Sequence, residues 1–227
     1  MIIWDISTGK PLQRLASHNG PVRSVSWNQD STKIATASED RQVRVWNVST
    51  GQLEMTLSGH SDWVRAVAWS PGGEALASVG KDNTLIVWDA ATGELLHTIE
   101  YLASLFDVTW NNDGTKLAIG LQSGEVIVLN AAKLSEEAKF AGHTDALTSV
   151  VWSPDESKFA TASRDGKIII RENSTNTVLH ILQAHNGAVW DISWSPDSTR
   201  LVSSGHDDTL NIWNVFLGQE TQTIEVD

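Results

Sequence analysis

The chain of 227 residues contains no cysteine. That excludes disulfides, thiolate zinc sites and a cysteine nucleophile, and it leaves the redox compartment open. Basic residues are scarce: 16 Lys and Arg stand against 28 Asp and Glu, a net charge of −12. Non-specific binding to nucleic acid or to an anionic membrane is therefore disfavoured for the chain as a whole, although a local basic patch is compatible with it. No apolar run approaches the ~18 residues of a membrane-spanning helix, and the opening MIIWDISTGK has neither the basic start nor the apolar stretch of a signal peptide. The expected location is the cytoplasm. No GxxxxGK[ST] stretch is present, so no P-loop is expected. There is one Tyr and there are four Phe, against eleven Trp. Apolar residues make up 41%, enough for the core of one large domain or two small ones.

The tryptophans are periodic. Trp27, Trp69, Trp110, Trp152 and Trp194 recur every 41 or 42 residues. A second series at the same period reads Trp4, Trp46, Trp88, Leu129, Arg171 and Trp213. Only Trp63 and Trp190 lie outside both series. Each period reads as strands: an alternating run such as VRAVAW, a turn such as SPGG, a second run such as EALASVG, a tight turn, a β-branched run such as TLIVWD, an STG-type loop and a last run such as GQLEMTL. The tight turns at Asp40-Arg41, Asp82-Asn83, Ser123-Gly124, Asp165-Gly166 and Asp207-Asp208 read as two-residue hairpin connections, which favour Asp, Asn and Gly. Four short strands in about 42 residues is one blade of a propeller.

The dipeptides GH at 59–60 and 142–143, with SH at 17–18 and AH at 184–185, and WD at 4–5 and 88–89, with WN at 46–47 and 213–214, make the chain resemble the WD40-repeat β-propellers over essentially its whole length. Its short turns and even spacing resemble bacterial and fungal WD40 arrays, in which the propeller often forms the sensor part of a larger signalling ATPase or kinase. The expected fold is all-β, a single domain over 1–227: a two-stranded half blade at 1–17 and five four-stranded blades at 18–59, 60–100, 101–142, 143–184 and 185–227. The half blade leaves two expectations open. Either the chain is a piece of a longer protein, or an open arrangement exposes apolar faces and strand edges through which it associates.

His60, Ser78 and Asp82 are the residue types of a hydrolase triad. The same types recur at the same offsets, with a Trp 28 residues after the His: His18, Thr36, Asp40 and Trp46; His60, Ser78, Asp82 and Trp88; His185, Ser203, Asp207 and Trp213; and His143, Thr161 and Asp165, with Arg171 in place of Trp. A hydrolase needs one nucleophile in one cleft, so the repetition argues for structure. The resemblance implies that each set forms a hydrogen-bonded chain inside its blade, Asp to His to hydroxyl to indole. In the unit at 101–142 all four polar members are replaced, by Tyr101, Ile119, Ser123 and Leu129, and its acidic LSEEAKF segment reads as a solvated loop. The Trp27, Trp69, Trp110, Trp152 and Trp194 series is expected in the core between blades.

No catalytic residue, metal site or cofactor is expected. His97, His180 and His206 lie outside the repeated sets, and none has a second ligand at zinc spacing; a propeller-type hydrolase is the remote alternative. The family resemblance implies that partners dock on the face carrying the His loops and the tight turns. On it the candidate binding residues are Arg23, Trp63, Arg65, Lys81, Phe106, Arg164, Trp190 and His206. Trp with Arg is the usual composition of a binding hot spot. Arg23, Arg65, Lys81 and Arg164 stand against Glu39 alone, about +3 on an acidic chain. The expected function is a non-catalytic interaction scaffold or sensor whose partner is a protein or peptide, acidic or phosphorylated, held by Arg. The competing explanation is that these cations only neutralise the turn aspartates. The alternative function is a self-assembling structural protein, a homo-oligomer joined through the half blade.

Overall fold

A computed structural model describes residues 1–226. They form 22 strands and no helix, so no helix is long and apolar enough to cross a membrane. The strands are arranged as one two-stranded and five four-stranded antiparallel sheets, each built from consecutive strands.

Two compact units divide the chain. The first, Met1–Leu105, holds the two-stranded sheet of β1 (Ile2–Asp5) and β2 (Lys10–Arg14) and two full sheets. One comprises β3 (Val22–Trp27), β4 (Lys33–Ser38), β5 (Gln42–Asn47) and β6 (Leu53–Ser58). The other comprises β7 (Val64–Trp69), β8 (Ala75–Gly80), β9 (Thr84–Asp89) and β10 (Leu95–Glu100). The second unit, Phe106–Asp227, takes β11 (Leu105–Trp110) from its second residue, with β12 (Lys116–Leu121), β13 (Val126–Asn130) and β14 (Ser135–Phe140). The sheet of β15 (Leu147–Trp152), β16 (Lys158–Ser163), β17 (Lys167–Glu172) and β18 (Val178–Gln183) follows. The last sheet is β19 (Val189–Trp194), β20 (Arg200–Gly205), β21 (Thr209–Asn214) and β22 (Gln219–Glu225).

Within each unit the core lies between successive sheets. Second and third strands alternate, so one face of each meets the next sheet. In the first unit Ala35, Ala37, Val43 and Val45 pack on Val67, Trp69, Leu76 and Trp88. In the second, Ala160, Ala162, Ile168 and Ile170 pack on Val189, Ile192, Leu201 and Trp213. Hydroxyls stitch the innermost strands together: Ser24 and Ser26 Oγ on β3 accept from the backbone N–H of Val67 (3.4 Å) and Trp69 (3.1 Å) on β7.

Three sequence expectations are corrected. Trp27 belongs to the periodic series expected in the core, and Trp69 and Trp152 are buried, but Trp27 is 47% exposed because no sheet of its unit covers that face. The turns between second and third strands are three residues long in four sheets, at 39–41, 81–83, 164–166 and 206–208. Only the last residue has positive φ, for example Arg41 (70°) and Asn83 (65°), the geometry of a type I turn followed by a left-handed residue. The acidic segment is the outer strand β14, with Ala138 and Phe140 turned onto the core and Lys139 paired with Glu125 at 3.0 Å.

The Asp or Asn that ends four of the five third strands, Asn47, Asp89, Asn130 and Asn214, also has a local task. Asp89 Oδ1 accepts from the N–H groups of Ala91 and Thr92, and the turn closes at Gly93, whose φ of 77° favours glycine.

Candidate functional site: a braced scaffold and an aromatic-cationic rim

Beneath the loops, each repeated set is a chain of hydrogen bonds. Trp88 Nε1–H donates to Ser78 Oγ at 2.8 Å; Ser78 Oγ lies 2.8 Å from His60 Nε2; His60 Nδ1 lies 2.9 Å from Asp82 Oδ2. Chemistry fixes the direction. An indole only donates and a carboxylate only accepts, so the donors run Trp, Ser, His, Asp, through a neutral imidazole protonated on Nδ1. The other full chains have the same form. Trp46 reaches Thr36 (2.9 Å), Thr36 His18 (2.7 Å) and His18 Asp40 (2.8 Å). Trp213 reaches Ser203 (3.0 Å), Ser203 His185 (2.7 Å) and His185 Asp207 (2.8 Å). In the fourth set His143 joins Asp165 (3.1 Å) and Thr161 (2.9 Å). Arg171 takes the Trp position there, donating to the carbonyls of Ala141 (2.7 Å) and Asn176 (3.3 Å) and lying 5.4 Å over the Phe140 ring.

The electrostatics agree with that direction. Burial alone would raise the Asp82 carboxyl, but the hydrogen bond from His60, with those from Thr84 and the Ser61 N–H, holds it down to about 2. Asp207 is likewise held at about 2, against burial, by the Asn186 N–H, Thr209 and His185. Burial lowers His18 and His143 and outweighs their aspartates, keeping both imidazoles neutral. In the degenerate unit Ile119 and Leu129 are fully buried and apolar, so no polar partner is stranded there.

The Asp also fixes the loop above. Asp82 Oδ2 accepts from Ser61 N–H (2.8 Å), and Lys81 N–H donates to the Trp63 carbonyl (2.9 Å). The loop before β7 thereby presents Trp63, 38% exposed. Lys81 Nζ stands 4.6 Å from the Trp63 ring centroid and the Arg23 guanidinium 6.0 Å from it. Arg65 is half-buried at the start of β7. The cations are not bare. Arg23 pairs with Glu39, and Lys81 lies 3.6 Å from Asp62. Asp62 was missed in the sequence; its place two residues after the repeated His was the available signal.

The second unit assembles two smaller pairs. The Arg164 guanidinium lies 5.1 Å over the Phe106 ring, and Trp190, 49% exposed, packs at a tilt of 41° against His206 with ring centroids 5.8 Å apart. His97 and His180 sit on the outer strands β10 and β18. Among the described residues no group of three or more His, Asp or Glu side chains could hold a metal ion.

Residues 65–227, more than half of the chain, match the family described as "WDR19 first beta-propeller", and residues 9–47 match "WD domain, G-beta repeat". Among curated proteins, Periodic tryptophan protein 2 homolog of Schizosaccharomyces pombe is 40% identical over 45 residues, 20% of this chain. Periodic tryptophan protein 2 of Saccharomyces cerevisiae and human Coronin-7 are each 37% identical over 43 residues, 19% of this chain. The matched stretch spans only 5% of the length of each relative. With the sheets, the repeated hydrogen-bond chains and these matches taken together, the chain belongs to the WD-repeat β-propeller family.

Proposed function

We propose that this chain is a non-catalytic interaction module and that the Arg23, Trp63, Arg65 and Lys81 face of its first unit binds an acidic or phosphorylated peptide. At the general level a WD-repeat propeller is a protein-interaction scaffold. The observation that carries the finer reading is the exposed Trp63 indole between two cations. Trp63 supplies apolar area at low entropic cost, and an incoming carboxylate or phosphate exchanges with Glu39 and Asp62 for Arg23 and Lys81. The repeated His-Ser-Asp sets support a scaffold over a hydrolase, because each is closed by its own indole or carbonyl neighbours. Sensor and signalling roles in the cytoplasm accord with this reading.

The test is titration with immobilised acidic, phosphorylated and neutral peptides, comparing the parent with a Trp63→Ala, Arg65→Ala double variant. Affinity for acidic and phosphorylated peptides should fall at least tenfold in the variant and weaken with salt in the parent. Undiminished binding by the variant would remove this face from the argument.

A further inference from the structure

Two exceptions to the repeat meet on one flank of the second unit. The first is an outer strand without charge. The other outer strands carry it: Lys10 and Arg14 on β2, Glu54 on β6, Glu100 on β10, Glu136 and Glu137 on β14, Glu220 and Glu225 on β22. Strand β18 reads VLHILQ, with no Asp, Glu, Lys or Arg. Among the described residues it pairs with β17 alone, and its Val178 and Ile181 are 44% and 57% exposed. Charge is a common device that keeps a free edge from pairing with another chain, and this edge lacks it. The second exception is the tip of the turn between third and fourth strands. It reads Ser7-Thr8, Ser49-Thr50, Ala91-Thr92, Ala132-Lys133, Ser174-Thr175 and, in the last sheet, Phe216-Leu217. Phe216 is 88% exposed and Leu217 55%. The tips at 132–133 and 174–175 are exposed with a following sheet in place, so the exposure belongs to the position. The turn is fixed from beneath. Leu217 N–H donates to Asn214 Oδ1 (2.9 Å), Gly218 N–H to the Asn214 carbonyl (2.9 Å) and Val215 N–H to the Thr199 carbonyl (3.0 Å). Gly218 stands against the His180 ring of β18, with no room for a Cβ between them. The apolar tip is thereby held next to the uncharged edge.

We propose that the β18 edge and the Phe216-Leu217 tip together dock an extended segment of a partner protein, apolar at alternate positions and flanked by Lys or Arg. The free backbone groups of β18 supply the hydrogen bonds of strand addition, and Val178, Ile181 and the tip supply the side-chain contacts. A tip already fixed in place loses little freedom on binding. The basic flanks follow from the neighbours. The outer strands of the two adjacent sheets, β14 and β22, carry Glu136, Glu137, Glu220 and Glu225, and among the described residues none of these pairs with Lys or Arg. A second copy lacks that complementarity. Its β18 offers no cation, and pairing β18 with itself would set glutamates against glutamates on a chain of net charge −12.

The probe is a synthetic peptide in which Val, Ile and Val alternate with Thr between paired lysines at each end. Titrated into the chain, it should bind and slow amide hydrogen exchange at residues 178–183, but not on β14 or β22. The same peptide N-methylated at alternate backbone positions cannot add as a strand and should not bind. Glutamates in place of its lysines should weaken binding about tenfold, as should a Phe216→Ser, Leu217→Thr chain, which restores the polar tip of the other repeats. That variant should keep the parent's melting temperature, because both side chains are exposed. The Trp63→Ala, Arg65→Ala chain should bind the probe as the parent does, which separates this surface from the rim of the first unit. Four results overturn the proposal: no binding at millimolar peptide, equal binding of the N-methylated peptide, exchange protection on another outer strand, or a dimer in light scattering that protects β18 without added peptide.

Discussion

Ser78→Ala deletes one oxygen at the centre of a chain whose members are all buried. Ser78 is 0% exposed, Trp88 2% and His60 7%. Without Oγ, the Trp88 indole N–H loses its acceptor at 2.8 Å and His60 Nε2 loses its donor at 2.8 Å. A stranded buried polar group costs about 1–3 kcal/mol, so two cost about 2–6 kcal/mol, less whatever the surroundings recover by shifting. For a chain of this size each kcal/mol moves the midpoint by about 2–4 °C, and a net loss of about 2–4 kcal/mol should lower it by roughly 4–16 °C in Ser78→Ala. Trp88→Phe removes the donor from the other side. If the bond is the cause, the double variant is less destabilised than the sum of the singles by about 1–2 kcal/mol. Ile119→Val, the same strand position in the apolar unit, removes one methylene and should cost about 0.5–1.5 kcal/mol. The assay is urea unfolding followed by both tryptophan emission and circular dichroism, because two probes reveal whether the units unfold together. A Ser78→Ala change of under about 0.5 kcal/mol, or strict additivity with Trp88→Phe, would refute the reasoning.

Two further outcomes are expected. Gly80→Ala places a Cβ 2.8 Å from both the Trp63 carbonyl oxygen and Asp82 Oδ1; it should lower the melting temperature and also weaken acidic-peptide binding at Trp63, checked by calorimetry and titration on the same sample. Asp107 is pushed up to about 7 by burial, with Asp191 adding to it and the Val150 N–H opposing. A raised carboxyl is a liability that grows as pH climbs from the unfolded value of 3.8 to the folded one, so Asp107→Asn should gain stability over the parent progressively between pH 4 and 7 and hold that gain above; a pH-independent difference in urea midpoints would contradict this.

The fold was legible because the period was. Trp and His at fixed offsets placed every sheet, since buried indoles and satisfied hydroxyls tolerate little substitution in a repeated packing. What spacing could not give was context. Trp27 has the same local sequence signal as Trp69, and their different burial depends on which sheet lies opposite. The turn aspartates read from sequence as the first residues of two-residue connections, the kind that needs positive φ. In fact Asp40 and Asp82 keep negative φ, with the left-handed step falling on Arg41 and Asn83, because the carboxylate must point back to the His and to the N–H two residues on. The acidic run became β14 because a solvent-facing outer strand needs apolar residues only at alternate positions, here Ala138 and Phe140. At the rim, Arg23 and Lys81 could be listed from the repeat, but Asp62 sits outside the positions considered and changes the local charge.

The same feature explains why the partner is harder to read than the scaffold. The bonds that hold each loop are backbone and repeated: Asp82 takes Ser61 N–H, Asp40 takes Asn19 N–H, Asp165 takes Thr144 N–H and Asp207 takes Asn186 N–H. The side chains those loops display do not repeat. Trp63, Ala146 and Ala188 occupy one position, and Arg65, Thr148 and Trp190 another. Loops fixed from beneath need little ordering on binding, so the displayed residues act at low entropic cost. They can change without stranding a buried group, because none of them belongs to the Trp-hydroxyl-His-Asp chain. Stability therefore resides in what recurs every 42 residues, and specificity in what does not.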